Sequence, residues 1–270
     1  METLKELNKI CQKPDYRKKG NWMARYVVRD AALPLSWLLL HTPVTANQIT
    51  FAGLAVALAA CCCFSAAADT AFLAGALLLQ FWYLLDHVDG HVARYRKQSS
   101  MTGIFFDYIT HHIVHTGVYI SLGLRAYKLY GGVLYLYAGI AAGLSILAFN
   151  LITDCKCKTF IWAVRWNGDA LAYTGGDEGG PGKGRRSGTA PAGVLKKIFS
   201  FMHKTCEIHV VMNILTLAAL AQFFFRGVEL SRQLVWVYFF FSLIISVFKI
   251  GYIVVSRDID REFVRYRRED

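Results

Sequence analysis

The chain has 270 residues, of which 55% are hydrophobic, with a mean hydropathy of +0.34, a composition that excludes one or two ordinary soluble domains and points to a membrane protein. Its formal net charge of +11 is gathered in a few segments between apolar stretches, which favours anionic lipid headgroups over nucleic acid as the partner of that charge. The seven cysteines show no metal-binding or disulfide spacing, so free thiols are expected, and no cleavable signal peptide is visible ahead of the first apolar run.

In chain order, residues 1–45 read as an N-terminal cytoplasmic and interfacial segment. Within it, residues 1–40 combine Lys18, Lys19, Arg25 and Arg29 with Trp22, Tyr26, Val27 and Trp37, a composition suited to an amphipathic helix lying in the membrane interface. Pro43 and Thr45 then mark a break and a helix start, and Asn47 and Thr50 share one face at i, i+3. Six apolar stretches follow, at about 49–68, 70–85, 104–124, 133–152, 210–225 and 234–255. Several approach the ~20 residues that cross a bilayer core. The expected fold class is all-α: a polytopic integral membrane protein of six transmembrane helices spanning residues 46–256. Between the fourth and fifth stretches lies a loop at about 154–204 whose glycine-rich middle, 174–192, lacks the pattern of a phosphate cradle. Residues 194–204 read as a short amphipathic helix, and 257–270 as a basic tail.

Orientation follows from lysine and arginine. With the N-terminus inside, 25 of the 30 basic residues fall on the inner side. Both termini are then expected to be cytoplasmic, together with the connection around Arg94.

That connection lies within a ladder of acids and small residues. Asp86, Asp89, Gly90 and Ala93 fall at i, i+3, i+4 and i+7, one face of a helix, with Arg94 beside them. Gly103, Asp107 and His111 repeat at i+4 on the next helix. Three carboxylates and an imidazole offered to one space suit a hard divalent cation, because crowded carboxylates repel without one. The small residues Gly90, Ala93 and Gly103 admit a bulky ligand such as a nucleotide close to the backbone. Acids at this depth in a membrane are functional candidates.

The ladder resembles the CDP-alcohol phosphotransferase (CDP-alcohol phosphatidyltransferase) family, whose motif is D-x2-D-G-x2-A-R-x8-G-x3-D-x3-D. Seven of the eight fixed positions match, and His111 stands where the family carries its fourth aspartate. The start of the first membrane helix likewise resembles the family's Pro-Asn-x-x-Thr, with the proline displaced by three positions. The resemblance implies transfer of a substituted phosphoryl group from a CDP-alcohol to a hydroxyl, with release of CMP. The donor expected is CDP-diacylglycerol; a CDP-linked headgroup transferred to diacylglycerol or ceramide is the alternative, and a non-catalytic nucleotide-binding or transport protein the rival class. By the same resemblance, two Mg²⁺ or Mn²⁺ ions would be held by Asp86, Asp89, Asp107 and His111, and the nucleotide by Asn47, Thr50, Asp86, Gly90, Ala93, Arg94 and Gly103. Asp107 and His111 would be catalytic, His111 as general base, with catalytic inactivity or a shifted role as its rival. A homodimer is implied in the same way.

Overall fold

The structure is a computed structural model and describes residues 3–12, 16–18, 20–167, 193–225, 227–257 and 259. The glycine-rich stretch at 174–192 and nearly all of the basic tail lie outside the described residues. Among the described residues every element is helical. Helix α1 is Leu4–Cys11, and a π-helical turn at Ala24–Val28 leads into α2, Arg29–Leu40. Four long helices follow: α3 (Ala46–Phe64), α4 (Asp69–Tyr95), α5 (Met101–Tyr130) and α6 (Val133–Asn167). After it come α7 (Gly193–Thr205), α8 (Ile208–Phe224) and α9 (Ser231–Ser256).

Local signals account for the boundaries that frame the ladder. Thr45 caps α3 in a reciprocal box with Gln48: the Gln48 amide donates to Thr45 Oγ1 at 3.3 Å, and the Thr45 amide donates to Gln48 Oε1 at 2.9 Å. Ser100 caps α5 by accepting from the Gly103 amide at 3.0 Å. Gly131, at φ +74°, closes α5 in the left-handed conformation that a Cβ would strain.

The count of six spans is not reached on length and apolarity. Among the described residues four helices, α3, α4, α6 and α9, qualify alone, and α7 with α8 supplies a fifth only as one span bent by 67°. Helix α8 by itself has 17 residues. Helix α5 is 30 residues long yet carries Asp107, His111, His112, His115 and Arg125, and this polarity keeps it out of the apolar set. The N-terminal region also differs from one interfacial helix: α1 and α2 are separate, and Leu7 and Cys11 of α1 are buried.

Two apolar clusters hold the helices. The larger joins Phe64, Phe72, Leu79, Trp82, Val118, Leu122, Leu215 and Tyr238 from α3, α4, α5, α8 and α9. The smaller packs Leu7, Cys11, Ala32, Leu33 and Leu40 against Ile49, Leu85, Val88 and Val92, so the N-terminal segment supports the back of the ladder helix. Helices α5 and α6 meet backbone to backbone. A Cβ on Gly139 would stand 2.6 Å from Gly123 Cα, and one on Gly143 would stand 3.0 Å from the Thr116 carbonyl oxygen. Small residues at such a crossing permit the close approach that van der Waals packing needs in a membrane.

At the far end of the bundle Arg125 is fully buried. Its Nε donates to Ser231 Oγ at 3.0 Å, Nη1 to the carbonyls of Ala66 and Ala68, and Nη2 to Asp69 Oδ1 at 2.6 Å. Gln222 donates to the same Asp69 oxygen, and the guanidinium lies over the Phe72 ring. One side chain thus ties the α3–α4 link to α8 and α9.

Candidate active site

Helix α4 carries Asp86, Asp89, Gly90, Ala93 and Arg94 on one continuous helix, and α5 begins early enough to include Gly103. Arg96, at the end of α4, donates to the carbonyls of Val44 (2.7 Å) and Thr42 (2.5 Å). This anchors the start of α3 beside the end of α4 and brings Asn47 and Thr50 to the ladder. Thr50 Oγ1 donates to Asp89 Oδ2 at 2.5 Å, and a methyl on Gly103 would stand 3.3 Å from the Asn47 amide oxygen. Three helices therefore meet where the sequence places two faces.

Asp86, Asp107 and His111 converge: one ligand atom from each lies within 4.8 Å of the others. His111 Nε2 is 2.8 Å from Asp86 Oδ1 and 3.4 Å from Asp107 Oδ1. A nitrogen so close to a carboxylate oxygen carries the shared proton, so in the neutral ring the lone pair is on Nδ1. Trp82 and the imidazole pack in a T-shaped arrangement at a centroid distance of 5.2 Å. Carboxylates with an imidazole suit a divalent cation that prefers oxygen, so the donor set fits magnesium or manganese. Asp89 stands outside this trio, held by Thr50.

Arg94 folds back along α4. A methyl on Gly90 would stand 3.2 Å from both terminal nitrogens of its guanidinium, and its Nε donates to the Cys11 carbonyl at the end of α1. The bare Gly90 therefore makes room for the arginine as well as for a ligand. Ala93 is half-buried on the same helix.

The other histidines divide by partner. His87 stays near the acids, with Nδ1 3.5 Å from Asp86 Oδ2, whereas His91 donates through Nδ1 to Ser36 Oγ at 3.0 Å, the hydroxyl proton of Ser36 being committed to the Ala32 carbonyl. His115 is a packing residue, its Nε2 on the Cys206 carbonyl at 2.9 Å. Sequence reasoning missed the His112–Asp154 pair, 2.9 Å between α5 and α6, since nothing in either neighbourhood marks the partner. Lys249 donates to the Phe149 carbonyl at 3.1 Å and to Thr153 on α6. At the surface, Asp30 holds the Arg17 guanidinium above its ordinary pKa through an ion pair at 2.8 Å. An apolar groove of about 400 Å³ between α6 and α9, lined by Leu151, Ile152, Ile250 and Val254 among others, is separate from the acids.

Residues 43–173 match the sequence model of the family described as CDP-alcohol phosphatidyltransferase. These residues belong to that family. The match covers a little under half of the chain, runs from the start of α3 beyond the end of α6 and contains the whole ladder. CDP-alcohol phosphatidyltransferases move a substituted phosphate group from a CDP-alcohol to an acceptor, so the ladder stands in a transferase domain. Helices α1 and α2 before it, and α7 to α9 after it, lie outside the match. No curated protein matches the chain.

Proposed function

We propose that the protein transfers a phosphatidyl group from CDP-diacylglycerol to a hydroxyl acceptor, releasing CMP, at the cytoplasmic boundary of a membrane. The observation that carries this reading is the convergence of Asp86, Asp107 and His111 inside a CDP-alcohol phosphatidyltransferase domain. Helix α4, at 27 residues, is roughly 40 Å long and exceeds the ~30 Å hydrocarbon core, so Asp86, where its last third begins, and Asp89 within that third stand toward one membrane boundary, where a lipid diphosphate lies.

Asp86, Asp89 and Asp107 would hold Mg²⁺ or Mn²⁺, as one ion or two, with His111 beside them. Such a cation neutralises the diphosphate and polarises its phosphoryl oxygens. Asn47, Thr50, Gly90, Ala93 and Gly103 would line the nucleotide, and Arg94 would hold a phosphate with its fork of donors. A neutral imidazole has a single lone pair, so ligating metal and accepting a proton are alternatives for His111. With Nε2–H committed to Asp86, we assign His111 Nδ1 as the base. It takes the acceptor's hydroxyl proton as that oxygen bonds to phosphorus and the bond to CMP breaks. Asp107, 3.4 Å from Nε2, helps Asp86 stabilise the imidazolium that results.

The test is CMP release by purified protein given CDP-diacylglycerol, Mg²⁺ or Mn²⁺, and a panel of alcohols. Release that stops with EDTA and returns with Mn²⁺ is expected. A second arm supplies CDP-linked headgroups with diacylglycerol or ceramide. Release only in that arm would reassign the donor, and no release in either, with no metal-dependent nucleotide binding, would overturn the enzyme reading.

A further inference from the structure

The apolar groove between α6 and α9 has a fixed frame of its own, apart from the acids. A seam of hydrogen bonds holds the two helices together. Ser246 Oγ shares its proton between the carbonyls of Ser145 on α6 and Ser242 on its own helix, both at 2.7 Å. Lys249 donates to the Phe149 carbonyl at 3.1 Å and to Thr153 Oγ1. Ser145, Phe149 and Thr153 fall at i, i+4 and i+8, one stripe of α6. The groove follows a neighbouring stripe, Ala148, Ile152, Cys155 and Thr159, at i, i+4, i+7 and i+11, and its other wall is Ile250, Ile253 and Val254 of α9. Ala148 and Cys155 are short beside Leu151 and Ile152, and the seam keeps the helices from closing over the hollow they leave.

Size and polarity indicate the occupant. The cavity has about 400 Å³, within the ~300–1,000 Å³ of ligand sites. From Ala148 to Thr159 the helix rises roughly 16 Å, about half of the ~30 Å hydrocarbon core, a length that takes the acyl chain of one leaflet. The groove is also graded. Ala148, Leu151 and Ile152 make its deep end apolar, and polar side chains enter the lining only at Lys156 and Thr159, beyond the apolar run that ends near residue 152. At that end Lys158 is exposed beside Thr159, and Arg257 is exposed between Val254 and Ile259 of the lining. Among the described residues no acid lines the groove, and Asp154 on α6 is committed to His112 at 2.9 Å. Ten residues line it, fewer than the ~20–30 per side of a stable protein interface, which favours a lipid over a second copy of the chain.

We propose that this groove holds one phospholipid of the adjoining leaflet, with an acyl chain between α6 and α9 and the phosphate at the Thr159 end, where Lys158 and Arg257 bring positive charge. The chain supplies apolar surface to a hollow that water would otherwise face, and the phosphate meets basic residues at headgroup level, where they attract anionic groups. The site is separate from the acid cluster and does not depend on the transferase reading.

The experiment uses the full chain in detergent micelles, read by native mass spectrometry, with phosphatidylglycerol and diacylglycerol of the same acyl chains as probes. Ala148→Phe and Cys155→Phe each fill the hollow, so one is read if the other fails to fold, and Leu217→Phe on an exposed position of α8 is the control. Wild type and the control are expected to retain one phosphatidylglycerol that the filled variant loses, with affinity for it down tenfold or more. Diacylglycerol, which lacks the phosphate, is expected to bind wild type at least tenfold more weakly. Retention of phosphatidylglycerol by a folded filled variant within twofold of wild type would overturn the proposal. So would equal affinity of wild type for the two probes, which would leave an apolar surface without a phosphate site. A wild-type dimer that comes apart in the filled variant, with lipid binding unchanged, would assign the groove to a second copy instead.

Discussion

Replacing His111 with Asp adds a carboxylate to the cluster and removes the proton that Nε2 shares with Asp86. The new carboxylate would enter a site where Asp86 is 2.8 Å and Asp107 3.4 Å from the present imidazole nitrogen. Unit charges about 4 Å apart interact by ~4 kcal/mol at an effective dielectric constant of about 20. Asp107 is 48% exposed and His111 32%, so screening reduces that to about 1.5–3 kcal/mol. The expected outcome has two parts. Without metal, the variant loses the hydrogen bond to Asp86 and gains repulsion, so its Tm in EDTA falls. With metal, the added charge tightens Mn²⁺ binding by about 10- to 100-fold, since ~1.4 kcal/mol is a factor of ten. Equilibrium dialysis with Mn²⁺ and thermal unfolding in detergent read both quantities independently of turnover. Unchanged Mn²⁺ affinity together with an unchanged Tm in EDTA would refute the view that His111 faces a cation site.

Two further substitutions test the frame that positions the trio. Gly139→Ala sets a methyl 2.6 Å from Gly123 Cα and 2.9 Å from the Tyr119 carbonyl oxygen, backbone atoms that yield only if α5 and α6 separate. A cost of about 1–3 kcal/mol is expected, read as a lower Tm, whereas Gly251→Ala, with nothing within 4 Å, should be neutral; equal stability of the two variants would contradict the close crossing. Arg125→Lys replaces a fork serving Ser231, Ala66, Ala68 and Asp69 with one ammonium. Leaving buried partners unsatisfied should cost about 2–4 kcal/mol, and unfolding at the wild-type temperature would show that the fork is dispensable.

The ladder was legible because a helix writes its faces into sequence at fixed intervals. Asp86 with Asp89, and Gly103 with Asp107 and His111, need no knowledge of neighbours to be placed. The capping box at Thr45 and the short helix now seen as Gly193–Thr205 were readable for the same reason. What escaped lies across helices. Ser36 with His91, Arg96 with Thr42 and Val44, and His112 with Asp154 depend on which faces pack, and the contacting residues are 42 to 55 positions apart. The span count goes unconfirmed for a different reason. Hydropathy marks helices that face lipid, and α5 sits among helices that receive its polar side chains, so its apolar average is low.

Arg125 also carries information about time. Its carbonyl and carboxylate partners lie 56 to 59 positions earlier in the chain, but Ser231 lies 106 positions later. As helices enter the bilayer in order, α5 finds three-quarters of its cage already waiting, and Nε keeps an open valence until the start of α9 arrives. A chain stopped before residue 231 would therefore hold a charged donor in a low-dielectric setting without its last acceptor, a cost that marks the unfinished product. The knot far from the chemistry is thus complete only when the start of α9 has docked.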